Sequence, residues 1–409
     1  MSILAESKKL QDARDRQGYD KPMRSIKLRA LPIVAASLFA FATGCGHGNP
    51  PSPQPTPESG QAIFRYETFG DEQFWTNTLH MNTVIQNGVS PKTALSVGLK
   101  VDADALPAAV IAGIQNGTID LNSPATTVTL LKLNAVVGLV GKVDNGGNLT
   151  QVGISCAMCH STVDNRIAPG IGSRLDGWPN RELNAGAIIA LSPAVTAAKK
   201  AVYNSWGPGR YDPRYNEDGI NGPVIIPPAY GLAGVNSATY TGDGSIEYWN
   251  AYVAVTQMHG MGDFSDPRLG IAVTFPVDEV TPKLPALAAY ERTLLKPAPP
   301  SGIDPAAAAR GQAIFQANCS SCHSAPAFTD ANVRLHPPTA SGTDPEWALR
   351  SATKMYRTTP LRGLALHPPY FHDGSAKTLA DVVTRYDNFL RLGLSAQEQA
   401  DLATYLATL

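Results

Sequence analysis

Cys156-Ala-Met-Cys159-His160 is the stretch that decides how this chain of 409 residues is read. Cys-x-x-Cys-His is the attachment motif of a c-type haem. Cysteines three apart project from one short turn, so both can bond to the vinyl-derived positions of one porphyrin. The histidine that follows is placed to reach the iron as an axial imidazole. The motif recurs at Cys319-Ser-Ser-Cys322-His323. Two covalently bound haem c groups are therefore expected, with His160 and His323 as iron ligands. Two other readings compete. A zinc site also uses Cys-x-x-Cys, but the pairs lie far apart and each carries an immediate histidine. A redox disulfide needs only the cysteines and leaves the histidine a coincidence twice over.

The chain is long enough for two domains with their own cores. Apolar residues make up 43%, charged residues 16%, and the net charge is -1. Nothing in that balance attracts a polyanion, and no nucleic acid partner is expected.

Four of the five cysteines sit in the two motifs, and the odd one is Cys45. Residues 1–22 are polar and charged and read as an over-long start. From Met23, a basic segment leads into the apolar run Ala30 to Ala42, the layout of an export signal over residues 23–44. Ala42-Thr43-Gly44-Cys45 resembles a bacterial lipobox. Simple cleavage would instead leave Cys45 as an unpaired thiol in an oxidising compartment. The expectation is an exported, periplasmic protein, lipid-anchored to a bacterial membrane (the outer membrane being the expected one) at Cys45. Residues 45–58 are a Pro-rich tether.

Gly60-Gln-Ala-Ile-Phe64 repeats as Gly311-Gln-Ala-Ile-Phe315. Cys319 follows the second copy almost at once, whereas Cys156 follows the first after about ninety residues. The fold class expected is mainly α: two cytochrome c-type haem domains, 59–296 and 297–409, the first enlarged by a long insertion with some β-hairpin structure. Phe74, Trp75, Leu79, Val84 and Ile85 give the start of the insertion an approximate helical face. Thr127 to Leu133 reads as strand. Val136 to Val143 and Leu149 to Ile154 flank an Asp144-Asn-Gly-Gly147 turn and read as a hairpin. Ser245 precedes a helix with Ile246, Trp249 and Val253 on one face. Thr378 caps another, Ser395 and Glu398 form a capping box for the last, and Leu402, Tyr405, Leu406 and Leu409 form its apolar stripe.

Thr359-Pro-Leu-Arg362, followed by Pro369-Tyr-Phe-His372-Asp-Gly-Ser-Ala-Lys-Thr-Leu379, resembles the C-terminal domain of the bacterial di-haem cytochrome c peroxidases. Their relatives include the di-haem enzyme that matures methylamine dehydrogenase. Tyr66 to Trp75 and Ser90 to Lys100 resemble the branch containing the haem rubber oxygenases. The resemblance implies a division of labour. The first haem reacts with peroxide or dioxygen, and the second, six-coordinate, transfers electrons. In the peroxidases a Met fourteen positions after the His of the His-Asp-Gly motif ligates the second iron. Here that position is Tyr386. The maturation enzyme is similar in using a tyrosine ligand in this domain, and the rubber oxygenases resemble a pattern that would use His372. His372, Tyr386 and the more distant Met355 stay open as the sixth ligand. His336 and His367 read as loop residues.

Peroxide heterolysis needs a base that takes a proton and returns it to the leaving oxygen. Glu247 and His259 are the catalytic candidates beside the first haem, with Asp263 third. Met258 or Met261 would instead close that iron. Trp206 and Trp249 are candidates for an electron stepping-stone, against an ordinary core role. The partners expected are a small redox carrier protein as electron donor or acceptor, and peroxide, dioxygen or an organic substrate. The peroxidase resemblance also implies Ca2+ between the domains. The competing function is a non-catalytic di-haem electron carrier or a docking module of a respiratory chain.

Overall fold

The two Gly-Gln-Ala-Ile-Phe copies open two halves built on one plan. In the computed structural model, which describes residues 56–409, the first copy lies in the helix Pro57–Tyr66 and the second in Pro305–Asn318. Thr56 caps the first through a capping box and Asp304 caps the second, each with proline in the first turn, where its missing N–H costs nothing. Each helix crosses a later one, Leu284–Thr293 in the first half and Ala396–Leu406 in the second. Phe64 meets Tyr290 at 5.6 Å between ring centroids, and Phe315 meets Tyr405 at 5.2 Å. Both halves belong to one compact unit, Pro55–Leu409. The tether is shorter than expected, because Pro57 and Glu58 are already helical. Cys45 and the export segment lie outside the described residues.

The insertion fills the space between the first helix and Cys156. Its start is not one continuous helix. A π-helical turn, Gln73–Thr78, precedes the helix Met81–Gly88, with left-handed His80 breaking them apart. The segment expected as a strand at Thr127 to Leu133 is a helix, Pro124–Lys132. Its β-branched residues suggested strand, but Thr127, Val128, Leu130 and Leu131 are buried with helical spacing and Pro124 starts the turn. The hairpin forms as expected: Leu139–Val143 pairs antiparallel with Leu149–Ile154. Asp144 fixes its turn by accepting from the Asn148 N–H at 2.8 Å.

This hairpin delivers the first motif. Asp71, fully buried, accepts from the Ile154 N–H at 3.1 Å, and Ser155 Oγ donates to the Arg65 carbonyl at 2.8 Å. Gly138 has φ 75, and a β-carbon there would stand 2.1 Å from Met158 N, so only glycine lets the hairpin base meet the motif turn.

In the second half, Thr378 and Ser395 form capping boxes on Leu379–Leu390 and Ala396–Leu406, and Leu402, Tyr405, Leu406 and Leu409 are buried together. The halves are tied by Arg350, which reaches Asp212 at 2.9 Å and Asp218 at 2.7 Å.

Candidate haem sites

Cys156 opens a single helical turn, Ala157–His160. All four motif cysteines are unbridged. Among the described residues, the one group of three side chains close enough to share a metal is Cys322, Asp330 and His336, so the two cysteine pairs do not meet around one ion. The His160 Nδ1 donates to the Pro227 carbonyl at 3.1 Å, and the His323 Nδ1 to the Phe328 carbonyl at 3.0 Å. In both, a backbone carbonyl orients the ring through Nδ1, as an axial ligand requires. Burial lowers both imidazoles, His160 to about 4, so both stay neutral and able to bind iron.

Around the first motif, besides Asp71, the structure gathers two more carboxyl groups that sequence reading missed. Glu217 accepts from Tyr252 Oη at 2.6 Å and from Gln257 Nε2 at 3.0 Å. Gln257 Oε1 in turn accepts from Tyr211 Oη at 2.9 Å, and Tyr211 lies within electrostatic reach of Cys159. Glu291 is buried on the helix Leu284–Thr293, accepts from Asn250 Nδ2 at 2.7 Å and acts electrostatically on Cys156. Burial raises each carboxyl to about 7. No spacing rule points to Glu217 or Glu291, because partners far away in the chain create their environment.

The expected catalytic pair behaves differently. Glu247 is paired with Arg292 at 2.7 Å, both about one-third exposed. Burial works to raise it, but its hydrogen bonds and Arg292 prevail and its carboxyl is lowered, which suits an ion pair rather than a proton donor. His259 adopts φ 64 and stacks on Phe74 at 3.7 Å. Burial lowers it to about 4, so it is neutral at physiological pH. Asp263 accepts from the Phe275 N–H at 3.0 Å. Trp206 and Trp249 are both core residues. Trp206 packs among Tyr203, Tyr211 and Tyr215.

The second motif opens on a cavity of about 420 Å³. Cys319, Cys322 and His323 line it together with His372, Tyr386, Tyr356, Arg181, Arg357 and Arg362, and Met355 is absent from its lining residues. The Tyr386 phenol is raised to about 12, by burial first and then by Cys319 beside it. His372 is buried and stacks on Tyr356 at 5.0 Å. Its Nε2 meets Tyr356 Oη at 3.3 Å, and its Nδ1 is enclosed without a partner. The two histidines read as loop residues both lie outside the helices and strands, and both are held by neighbours. His336 lines the cavity and pairs with Asp330 at 3.0 Å, while His367 is buried and its carbonyl accepts from Arg181. At the seam between the halves, where Ca2+ was expected, the Asp212 and Asp218 carboxylates are taken by Arg350.

The residues present fit covalent haem: free thiol pairs, oriented neutral imidazoles, and at the second motif an apolar cavity with enclosed, unpartnered nitrogen atoms at its rim. Residues 308–409 match the cytochrome c family. The methylamine utilization protein MauG of Methylophilus methylotrophus is 29% identical over 151 aligned residues, 30% of this chain and 45% of MauG. The chain thus spans less than half the length of this curated relative. Two solved structures are similar over part of their length. Hydrazine synthase of Kuenenia stuttgartiensis gives a TM-score of 0.34 at 19% identity, over 47% of this chain and 74% of that one. A MauG-like protein associated with microbial copper homeostasis gives 0.31 at 18% identity, over 46% and 74%.

Proposed function

We propose that this chain, a member of the di-haem cytochrome c peroxidase superfamily, is a haem oxidoreductase in which the His160 haem reacts with peroxide or dioxygen and the His323 haem passes electrons. The observation that carries this division is the unequal supply of acid groups. Glu217 and Glu291, each raised to about 7, stand around the first motif, whereas the carboxyl beside the second, Asp330, is lowered, burial being outweighed by its bonds to Thr358, Arg334 and His336. A bound haem c supplies an iron that accepts an oxygen ligand and exchanges single electrons. Cleavage of a peroxide O–O bond also needs a group that takes up and returns a proton, and a carboxyl with a pKa near the working pH does this best. Glu217 suits that role, because Gln257 and Tyr211 connect it by hydrogen bonds towards Cys159.

In the second cavity we infer that Tyr386 is the sixth ligand. Both His372 ring nitrogens are occupied or enclosed, whereas the Tyr386 phenol faces the cavity beside both cysteines. A closed second iron suits electron supply from a small redox carrier protein. Covalent haem in bacteria is attached outside the cytoplasm, so export with lipid attachment at Cys45 belongs to the same proposal.

The test is the optical and EPR spectrum of the purified protein, oxidised and half-reduced. One high-spin haem that responds to peroxide, cyanide and carbon monoxide, beside one low-spin haem, is expected. Two low-spin haems indifferent to all three would overturn the enzyme reading and leave an electron carrier.

A further inference from the structure

Three arginines, Arg181, Arg357 and Arg362, line the cavity at Cys319 and Cys322, and no aspartate or glutamate does. Elsewhere this protein answers its buried arginines with carboxylates: Arg174 with Asp102 at 3.0 Å, Arg214 with Asp243 at 2.5 Å, Arg350 with Asp212 at 2.9 Å. Arg181 and Arg357 meet only backbone. Arg181 donates to the Ile226 and His367 carbonyls at 2.5 and 2.7 Å, and Arg357 to the Ser237 carbonyl at 2.5 Å. Each leaves its Nε enclosed without an acceptor. Carbonyl dipoles hold a guanidinium in place but do not neutralise it. Burial lowers both groups, Arg357 to about 10, the mark of a cation short of counter-charge. A charge withdrawn from water without an anion is disfavoured. Such a pair is retained when a ligand brings the missing charge.

We propose that Arg357 and Arg181 bind the propionate groups of the haem held at Cys319 and Cys322. This rests on the haem reading above and adds the residues that seat and tune that haem. Arginine suits carboxylates because its planar fork matches their geometry. Tyr240 stands within electrostatic reach of both guanidinium groups, with its Oη donating to the Ile225 carbonyl at 3.0 Å. Arg181 holds the Ile226 carbonyl, and the next carbonyl, Pro227, orients His160. One short stretch of backbone thus joins the propionate side of the second haem to the imidazole of the first. The ferrous haem carries one more negative charge than the ferric. Cations at its propionates stabilise the ferrous form and raise this haem's potential.

The test is Arg357→Gln in the full-length di-haem protein, read by redox titration of each haem and by the Raman bending bands of the propionates. A haem stain after denaturation first establishes that both haems are attached. The reduced-to-oxidised ratio of the His323 haem at fixed potential should fall about tenfold, about 59 mV for a one-electron couple. Its propionate bands should shift, Arg357→Lys should restore part of the change, and the His160 haem should not move. Unchanged potential and bands with both haems attached would overturn the proposal. Where Arg357→Gln does not load haem, Arg357→Lys and Arg181→Lys carry the same readings, and no shift in either overturns it. Wild-type protein without covalent haem at Cys319 sinks the haem reading itself, a different result.

Discussion

Gly311 packs so closely on Asp401 that a β-carbon on the glycine would stand 2.0 Å from the Asp401 carbonyl oxygen. Gly60 lies over Ala286 at the same 2.0 Å, so both halves are closed by the same glycine-on-backbone helix crossing. Gly311→Ala gains about 1 kcal/mol of helix propensity. Forcing the helices apart costs about 1–3 kcal/mol, because the obstructing atom is backbone and cannot swing away. Net destabilisation of up to about 2 kcal/mol is expected in a denaturant titration of the holoprotein. A variant as stable as wild type would show that the crossing has slack.

Glu291 makes stability fall with rising pH. Its carboxyl titrates near 4.5 when unconstrained and near 7 in the fold. Below 4.5 it is protonated in both states and costs nothing. From 4.5 to 7 the unfolded chain ionises and the folded protein does not, so stability declines, by up to about 3 kcal/mol above pH 7. Glu291→Gln should flatten this slope and gain stability at pH 8 relative to pH 4. Parallel stability profiles for variant and wild type would disprove it.

Most of the frame was legible in the sequence. The repeated Gly-Gln-Ala-Ile-Phe marks the helix that crosses the closing helix of each half, and the Asp144-Asn-Gly-Gly147 turn marks the hairpin, because both are local signals. Thr127 to Leu133 misled because β-branched residues favour strands, yet packing against the hairpin decides for helix there. Glu217 and Glu291 were illegible for another reason. A carboxyl becomes a proton carrier through burial and distant partners such as Tyr252 and Asn250, which no spacing announces. Glu247 drew attention from its helix, but Arg292 holds it as an ion pair.

Glu217→Gln keeps the shape of the Tyr252 and Gln257 contacts and removes the titratable proton. Peroxide turnover should fall on the order of 100-fold, the usual worth of a general acid–base group. The wild-type pH profile should show a limb near 7 that the variant lacks, since the carboxyl titrates there. Steady-state rates between pH 5 and 9 check this, and a variant retaining both rate and limb would remove Glu217 from the mechanism.

Tyr386 and His372 are separable by spectroscopy. Tyr386→Phe should turn the His323 haem high-spin and open it to carbon monoxide, because the variant loses the phenol oxygen beside Cys319. His372→Ala should leave that haem low-spin, since the ring is turned towards Tyr356. The opposite pattern would make His372 the ligand.

Arg350 ties the two halves together through two carboxylates. Its side chain is 6% exposed and its Asp212 partner is fully buried, and it also donates to the Ile220 and Gly222 carbonyls at 2.9 and 3.2 Å. Burial works to raise Asp212, and Arg350 is the main opposing influence. Arg350→Ala leaves that carboxylate buried without its cation, which costs about 3–5 kcal/mol. Removing Asp212 as well should recover a large part of the loss, because the penalty lies in the unpaired charge. In urea titrations the single variant should lower the midpoint with little change in slope. A double variant as unstable as the sum of the singles would show that Arg350 acts through its backbone contacts rather than through Asp212.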